Sequence, residues 1–388
     1  MSDLLTARNA VATVFVVNGF CFASWVSRIP DARDRLALSN ADLGLLLLAL
    51  SAGSLLALPL AGALIRRHGP GRVLLTAAVL AALGLAGVGL ATGPAGAVLA
   101  AALGLLAYGA GTGAWDVAMN VEGAAVEHGL GRTVMPRFHA GFSIGTVLGA
   151  VVGAGAAWRA VPTSVHLGAV AVVALGMAAW AVRSFLPGAD VVEESVDRRS
   201  VFAAWREPRT LLIGVMVLAL AFTEGTANDW LAVTLVDGYG VANWVGVVGF
   251  AVFVAAMTLG RLLGSSLLDR FGRVPVLRAT IATASLGVLL LVAGLGPAVA
   301  VLGILLWGLG ASLGFPVGMS AAADDPVHAA ARVSVVSTIG YGAFLAGPPL
   351  VGFLADLVGT LPALLVVLAL LVPAALAAPA AARQPVSR

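Results

Sequence analysis

The sequence predicts an all-α integral membrane protein whose twelve transmembrane helices form two pseudo-symmetric six-helix bundles. Of its 388 residues, 60% are hydrophobic and only 11% are charged, whereas soluble domains carry about 25% charged residues. Twelve apolar runs are long enough to cross a bilayer. Short motifs also recur between the two halves of the chain at a nearly constant spacing. A lipid bilayer is therefore the expected environment.

The apolar runs fall into two groups of six. The first group lies at about 8–29, 40–65, 70–91, 97–122, 138–157 and 163–186, and the second at about 210–236, 243–268, 274–295, 298–321, 333–357 and 361–379. One polar stretch separates the groups. The sequence therefore predicts an N-terminal bundle over 1–186, a cytoplasmic linker over 187–209 and a C-terminal bundle over 210–388.

Three short motifs relate the two groups. Residues 67–69 (RHG) and 270–272 (RFG), which end the second and eighth runs, are 203 positions apart. In the fourth and tenth runs, YGAG at 108–111 and WGLG at 307–310 are 199 apart. In the fifth and eleventh runs, SIG at 143–145 and TIG at 338–340 are 195 apart. Matching motifs in matching runs indicate a duplicated six-helix unit, an architecture that places transport sites at the repeat interface.

The distribution of arginine predicts the orientation. All 22 basic residues are Arg, and most of them fall in alternate loops, in the linker and in the tails. If the N-terminus is inside, the outside loops hold only Arg28, Arg33, Arg35 and Arg159. Because cytoplasmic loops carry the excess of basic residues, we expect a multi-pass protein of the cytoplasmic (inner) membrane with both termini in the cytoplasm.

The loops after the second and eighth runs carry a familiar motif. Residues 265–273 read SSLLDRFGR, which resembles the Gly-x-x-x-Asp-Arg-x-Gly-Arg motif of the major facilitator superfamily. The first copy, GALIRRHG at 62–69, has Arg66 where that family has Asp. The resemblance implies the twelve-helix major facilitator fold and gating roles for Arg66, Asp269, Arg270 and Arg273.

Two further stretches resemble the fucose permease branch of that superfamily. They are GAWDVAMN at 113–120 and FTEGTANDW at 222–230. This resemblance implies secondary active transport of a small polar solute, such as a sugar, coupled to protons by alternating access. It also implies that spans one, four, seven and ten line the central cavity.

Three carboxylates lie well inside apolar runs and are candidate proton-coupling residues: Asp116, Glu224 and Asp229. A carboxylate near the centre of a membrane span is costly unless it faces water, a partner or a proton. Glu224 is the preferred proton carrier because it is the deepest in its run and shares a helix face with Asn228. Asp229 lies about 140° around the helix from Glu224.

The candidate substrate-binding residues are amides and aromatics. Asn18, Phe22 and Trp25 lie on one face of the first run, and such a face suits a ring-shaped polar solute. The other candidates are Trp115, Asn120, Asn228, Trp230, Trp307 and Tyr341. An alternative for Trp25 and Trp230 is an ordinary role as interface anchors.

Arg261 is the one arginine inside an apolar run, and we predict a role in gating. Its depth is similar to that of Asp116, so an ion pair between them is one hypothesis, with Glu122 as an alternative partner. The other interpretation is an arginine that snorkels alone to the headgroups.

No phosphate loop, nucleophile triad or metal-ligand spacing is present in the sequence, so we expect neither an enzyme nor a cofactor. The expected partners are a small-molecule substrate, protons and the lipid bilayer, with no nucleic acid, and we expect a monomer. Two alternatives remain open. One is a drug or metabolite efflux antiporter, and the other is a non-transporting sensor or a lipid-moving protein.

Overall fold

In a computed structural model of the protein, twelve helices are long and apolar enough to cross a membrane. The structure describes residues 2–93, 96–132, 134–186, 202–325 and 328–383, and these ranges contain no β-strand. The predicted all-α membrane fold is confirmed. The predicted linker at 187–209 lies largely outside the described residues, so its boundaries remain a prediction.

Spans one to six follow the first group of apolar runs. Their helices are Ser2–Val26 with Ile29–Arg35, Asn40–His68, Pro70–Ala91, Val98–Leu130, Met135–Trp158 and Thr163–Ala181, the last continuing as the 3-10 turn Val182–Ser184. Span four is longer than its apolar run, because a polar segment that ends at Leu130 continues the helix.

Spans seven to twelve follow the second group. Their helices are Pro208–Tyr239, Asn243–Phe271, Arg273–Val292, Pro297–Ala311 with Gly314–Ala322, Ala329–Val358, and Thr360–Ala363 with Leu365–Ala377, the last followed by the 3-10 turn Ala378–Ala381. Span ten is therefore broken at residues 312–313, whereas the sequence predicts one continuous run there.

The motif shared by the ends of spans two and eight closes on a glycine with an unusual backbone conformation. Gly69 and Gly272 follow these helices with φ of +79° and +78°. A residue with a side chain rarely adopts this conformation, so glycine allows the chain to turn directly into the next helix. The matching positions explain why the motif recurs in both halves.

Contacts between Cα atoms divide the chain into two compact units. Unit 1 contains residues 1–192 and 242–251, and unit 2 contains 193–241 and 252–388. In unit 1, span one packs on spans four, five and six, and in unit 2, span seven packs on spans ten, eleven and twelve. Spans one and seven are the most buried of the spans: in each, 72% of an 18-residue apolar stretch is buried inside the structure.

Helix packing repeats between the units in detail. A Cβ atom placed on Gly84 of span three would lie 2.4 Å from the backbone nitrogen of Tyr108 in span four. A Cβ atom on Gly287 of span nine would lie 2.4 Å from the backbone nitrogen of Trp307 in span ten. Glycine thus permits the same backbone contact in both pairs, and this similarity supports the duplicated unit that the motif offsets predict.

Candidate functional site

Glu224 lies near the middle of span seven. At 1.5 Å per residue it is about 24 Å from Pro208 and about 22 Å from Tyr239 along the helix. Its side chain is 20% exposed. Because an isolated charge at this depth is costly, the partners of Glu224 decide what the residue can do.

Arg261 of span eight is the ion-pair partner of Glu224. Its Nη2 donates hydrogen bonds to Oε1 at 3.0 Å and to Oε2 at 3.1 Å. Its Nε donates to the backbone oxygen of Ser312 at 3.4 Å. The arginine side chain is 30% exposed. All three residues belong to unit 2, where the carboxylate neutralises the guanidinium.

Arg261 therefore does not snorkel alone to the headgroups, because it bonds to Glu224. Glu122, one of its two predicted partners, is fully buried and accepts a hydrogen bond from the Leu186 backbone nitrogen. The ion pair of Arg261 with Asp116 or Glu122 remains a hypothesis.

The break in span ten supplies the second contact of Arg261. Ser312 and Leu313 are non-helical, and the Ser312 hydroxyl donates to the backbone oxygen of Leu309. A Cβ atom on Gly260 of span eight would lie 2.4 Å from the Ser312 hydroxyl oxygen, so span eight approaches the break closely. Non-helical backbone at this depth needs partners or water, and Arg261 is one such partner.

The two polar neighbours of Glu224 in sequence are half-buried. Asn228, which shares its face, and Asp229, which lies about 140° around the helix, are both partly exposed. Both carboxylate oxygens of Glu224 accept hydrogen bonds from Arg261. The proposed roles of both residues remain predictions.

The tryptophans expected to contact a solute are core residues. Trp25, Trp115, Trp230 and Trp307 are at most 1% exposed, while Tyr341 is partly exposed. Within the described ranges, the indole N–H groups of Trp115, Trp230 and Trp307 have no hydrogen-bond acceptor. A solute would reach these side chains only after a conformational change, so their binding role remains a prediction.

In unit 1 the candidate residues of spans one and four form two small groups. The Asn120 amide donates to the backbone oxygen of Asp116 at 2.8 Å and to its carboxylate at 3.3 Å, and the Asp116 side chain is exposed. The buried Asn18 amide lies 3.8 Å from the Met119 sulfur, whereas Phe22 is half-buried. Asp116 thus keeps its carboxylate accessible.

The residues predicted to act in gating have different environments. Arg66 and Asp269 are exposed, and Arg270 lies over the ring of the following phenylalanine at 5.1 Å. Arg273 instead donates two hydrogen bonds to Asp324, at 2.7 and 2.9 Å. Arg273 therefore links the second loop motif to Asp324. The gating roles of all four residues remain predictions.

Asp324 is the centre of an ionic network that the sequence does not reveal. It also accepts a hydrogen bond from Arg209, at the beginning of span seven, at 2.9 Å. Nearby, Arg332 donates to Glu207 at 2.7 Å and to Asp325 at 3.3 Å. The hydrogen bond from Arg332 lowers the pKa of the Glu207 carboxyl. The bonds from Arg209 to Asp324 and from Arg332 to Glu207 join residues 115 and 125 positions apart, a separation at which sequence patterns do not reveal contacts.

Unit 1 contains a buried charged cluster at the end of span one. Arg28 is 1% exposed. Its Nη1 donates to Asp31 at 2.6 Å, and its Nε donates to Nδ1 of His166 in span six at 2.9 Å. Asp31 also accepts from Asn243 at 2.9 Å. The sequence suggested a loop position for Arg28, but the structure packs it inside the unit beside the buried His166.

Within the described ranges, no group of three or more His, Cys, Asp and Glu side chains could hold a metal ion. The chemistry that these residues do offer is proton binding at carboxylates and ion pairing at arginines. Glu224 and Arg261 combine both in one partly buried contact.

Comparison with known proteins identifies the family. A family model described as Major Facilitator Superfamily matches residues 11–325. The chain belongs to the major facilitator superfamily. It is 34% identical over 355 residues to an uncharacterised MFS-type transporter of Yersinia pestis, covering 91% of this chain and 90% of the relative. An uncharacterised transporter of Sinorhizobium fredii is 35% identical over 387 residues, covering 95% and 99%.

Solved structures of the superfamily share the fold. A point mutant of the nucleoside transporter NupG has a TM-score of 0.82 at 14% identity, covering 97% of this chain and 99% of that one. The Escherichia coli fucose:proton symporter FucP has a TM-score of 0.65 at 15% identity, covering 97% and 98%. The likeness expected from the loop motif and from the fucose permease branch is confirmed at the level of family and fold.

Proposed function

We propose that this major facilitator protein is a secondary active transporter that moves a small polar solute across the cytoplasmic membrane by proton-coupled alternating access. Its structural neighbours are a nucleoside transporter, a fucose:proton symporter and a D-xylose-proton symporter. These neighbours support a small hydroxylated solute for this chain.

The observation that carries the proposal is the ion pair between Glu224 and Arg261. A carboxylate in the middle of a membrane span is an ordinary element of proton relays, and here its partner comes from a different helix. Protonation removes the charge of Glu224 and weakens its hold on Arg261. Because Arg261 also contacts the break in span ten, proton binding would change contacts among three spans of unit 2.

The test is uptake of labelled sugars and nucleosides into proteoliposomes, with and without an inward proton gradient. Glu224→Gln imitates the protonated residue, so it should exchange solute across the membrane and fail to accumulate it against a gradient. Glu207→Gln is a matched control, since Glu207 also bonds to an arginine but lies before the start of span seven. The control should accumulate solute.

Asp116 is the rival proton carrier, because its carboxylate is exposed and bonded only by Asn120 among the described residues. Since we assign the coupling proton to Glu224, we expect Asp116→Asn to retain some pH-driven accumulation. If Glu224→Gln accumulates solute normally while Asp116→Asn does not, the coupling site belongs to unit 1 and the assignment to Glu224 is wrong.

We also propose that both termini lie in the cytoplasm. Cys21 is the single cysteine, so a Cys21→Ala background accepts reporter cysteines. Arg35→Cys should react with an impermeant thiol reagent from outside intact cells, and Trp205→Cys only after the membrane is opened. The reverse pattern would overturn the orientation.

A further inference from the structure

The charges around Arg261 suggest what kind of solute the transporter carries. Within the described residues, the polar contacts of the guanidinium are the Glu224 carboxylate and the Ser312 backbone oxygen. Glu224 is thus the one counter-charge that touches it. Asp229 lies about 140° around span seven from Glu224 and does not share this contact.

Protonation of Glu224 upsets this balance. Arginine keeps its charge at any physiological pH, so a neutral Glu224 leaves Arg261 with a carbonyl dipole as its remaining polar contact. Removing one partner of an ion pair shielded from water is unfavourable, because the other charge is left uncompensated. Arg261 is 30% exposed, which reduces this penalty without cancelling it. Proton binding alone is therefore unfavourable.

The identity of the solute decides whether the penalty is relieved. A neutral solute leaves the positive charge uncompensated, and a cationic solute would add a second one. An anion restores the original balance, because its carboxylate replaces the one that has become neutral. The planar guanidinium fork matches a carboxylate in shape, and Nη1 and Nη2 are available once Glu224 releases Arg261.

We propose that the transported solute is a small organic anion with a carboxylate group, such as a sugar acid, which binds Arg261 when Glu224 takes up a proton. The inference rests on the proposed proton-coupled transport and specifies its substrate class. Proton and anion bind together because each makes the other favourable. By linkage, the anion raises the affinity for the proton by the same factor as the proton raises that for the anion.

A first experiment tests whether Arg261 binds a free anion when the Glu224 carboxylate is absent. Glu224→Ala removes the carboxylate and leaves space for a small one, and the purified variant is titrated with sodium formate while the apparent Tm is measured. We expect a lower Tm than in the wild type and a saturable recovery of most of the loss. The wild type and the double variant Glu224→Ala, Arg261→Gln report general salt effects and should show no such recovery. A single variant that responds to formate no more than the double variant would overturn the proposal.

A second experiment identifies the solute without a prior candidate. Proteoliposomes with an inward proton gradient are incubated with a bacterial metabolite extract, and solutes concentrated by the wild type but not by Glu224→Gln are identified by mass spectrometry. Accumulated carboxylates support the inference. Neutral solutes would overturn it while leaving proton-coupled transport intact. If no solute is concentrated, coupled transport itself is refuted and the inference fails with it.

Discussion

The close contact of span five with span one makes Gly145 a sensitive packing position to test. A Cβ atom on Gly145 would lie 1.9 Å from the backbone oxygen of Val16, 2.8 Å from its carbonyl carbon and 3.0 Å from the backbone nitrogen of Phe20. These are backbone atoms, so no rotation of a side chain relieves the overlap. The two spans must separate to accept Gly145→Ala.

The size of the effect follows from this geometry. Overpacking a well-packed core costs about 1–3 kcal/mol, and we expect about 3 kcal/mol here because the obstructing atoms cannot move alone. Gly155, on the same helix, is the matched control, since no heavy atom lies within 4 Å of its added Cβ. Gly155→Ala should be neutral or stabilise the helix by about 0.5 kcal/mol, because alanine has the higher helix propensity.

The assay uses the only cysteine of the chain. Cys21 is buried in span one, so a thiol-reactive dye labels it as the protein unfolds on heating. Gly145→Ala should lower the apparent Tm by several degrees, while Gly155→Ala should leave it unchanged or raise it. Equal Tm values for Gly145→Ala and the wild type would show that spans one and five do not approach as closely as the structure places them.

Three further predictions concern charged groups. Asp324→Asn removes the carboxylate shared by two arginines and should lower stability by about 1.5–3 kcal/mol, whereas exposed Asp269→Asn should change the Tm little. The carboxyl of Glu207 has a lowered pKa because Arg332 bonds to it, so its stabilising effect is present above the ordinary value of about 4.3 and is lost as the pH falls through the lowered value. The Tm difference between wild type and Glu207→Gln should accordingly shrink in acid. Arg28→Met breaks a buried ion pair and should cost about 3 kcal/mol.

Each of these predictions has a result that contradicts it. A larger loss of Tm in Asp269→Asn than in Asp324→Asn would contradict the stabilising role of the ionic network. If the Tm difference between wild type and Glu207→Gln instead grew toward acid pH, folding would not lower the pKa of Glu207. Exposed Arg35 is the control for Arg28, and equal effects of Arg28→Met and Arg35→Met would mean that Arg28 is not buried.

The sequence by itself determined the number of spans, the depth of the charged residues within them and the duplication of a six-helix unit. Run length and hydropathy decide where a chain crosses a bilayer, and the offsets near 200 residues predicted matching packing, which the contacts of Gly84 and Gly287 with spans four and ten bear out. It also marked Glu224, because a carboxylate at that depth is conspicuous in an apolar run.

Only the tertiary structure decided which groups meet. Glu224 and Arg261 are 37 residues apart, and their depths alone suited other pairings equally well. The break at Ser312 and the burial of Arg28 likewise depend on neighbouring helices that satisfy polar groups. Periodicity fixes the depth and face of a side chain along its own helix, whereas the rotation and spacing of neighbouring helices are set by packing between residues distant in sequence.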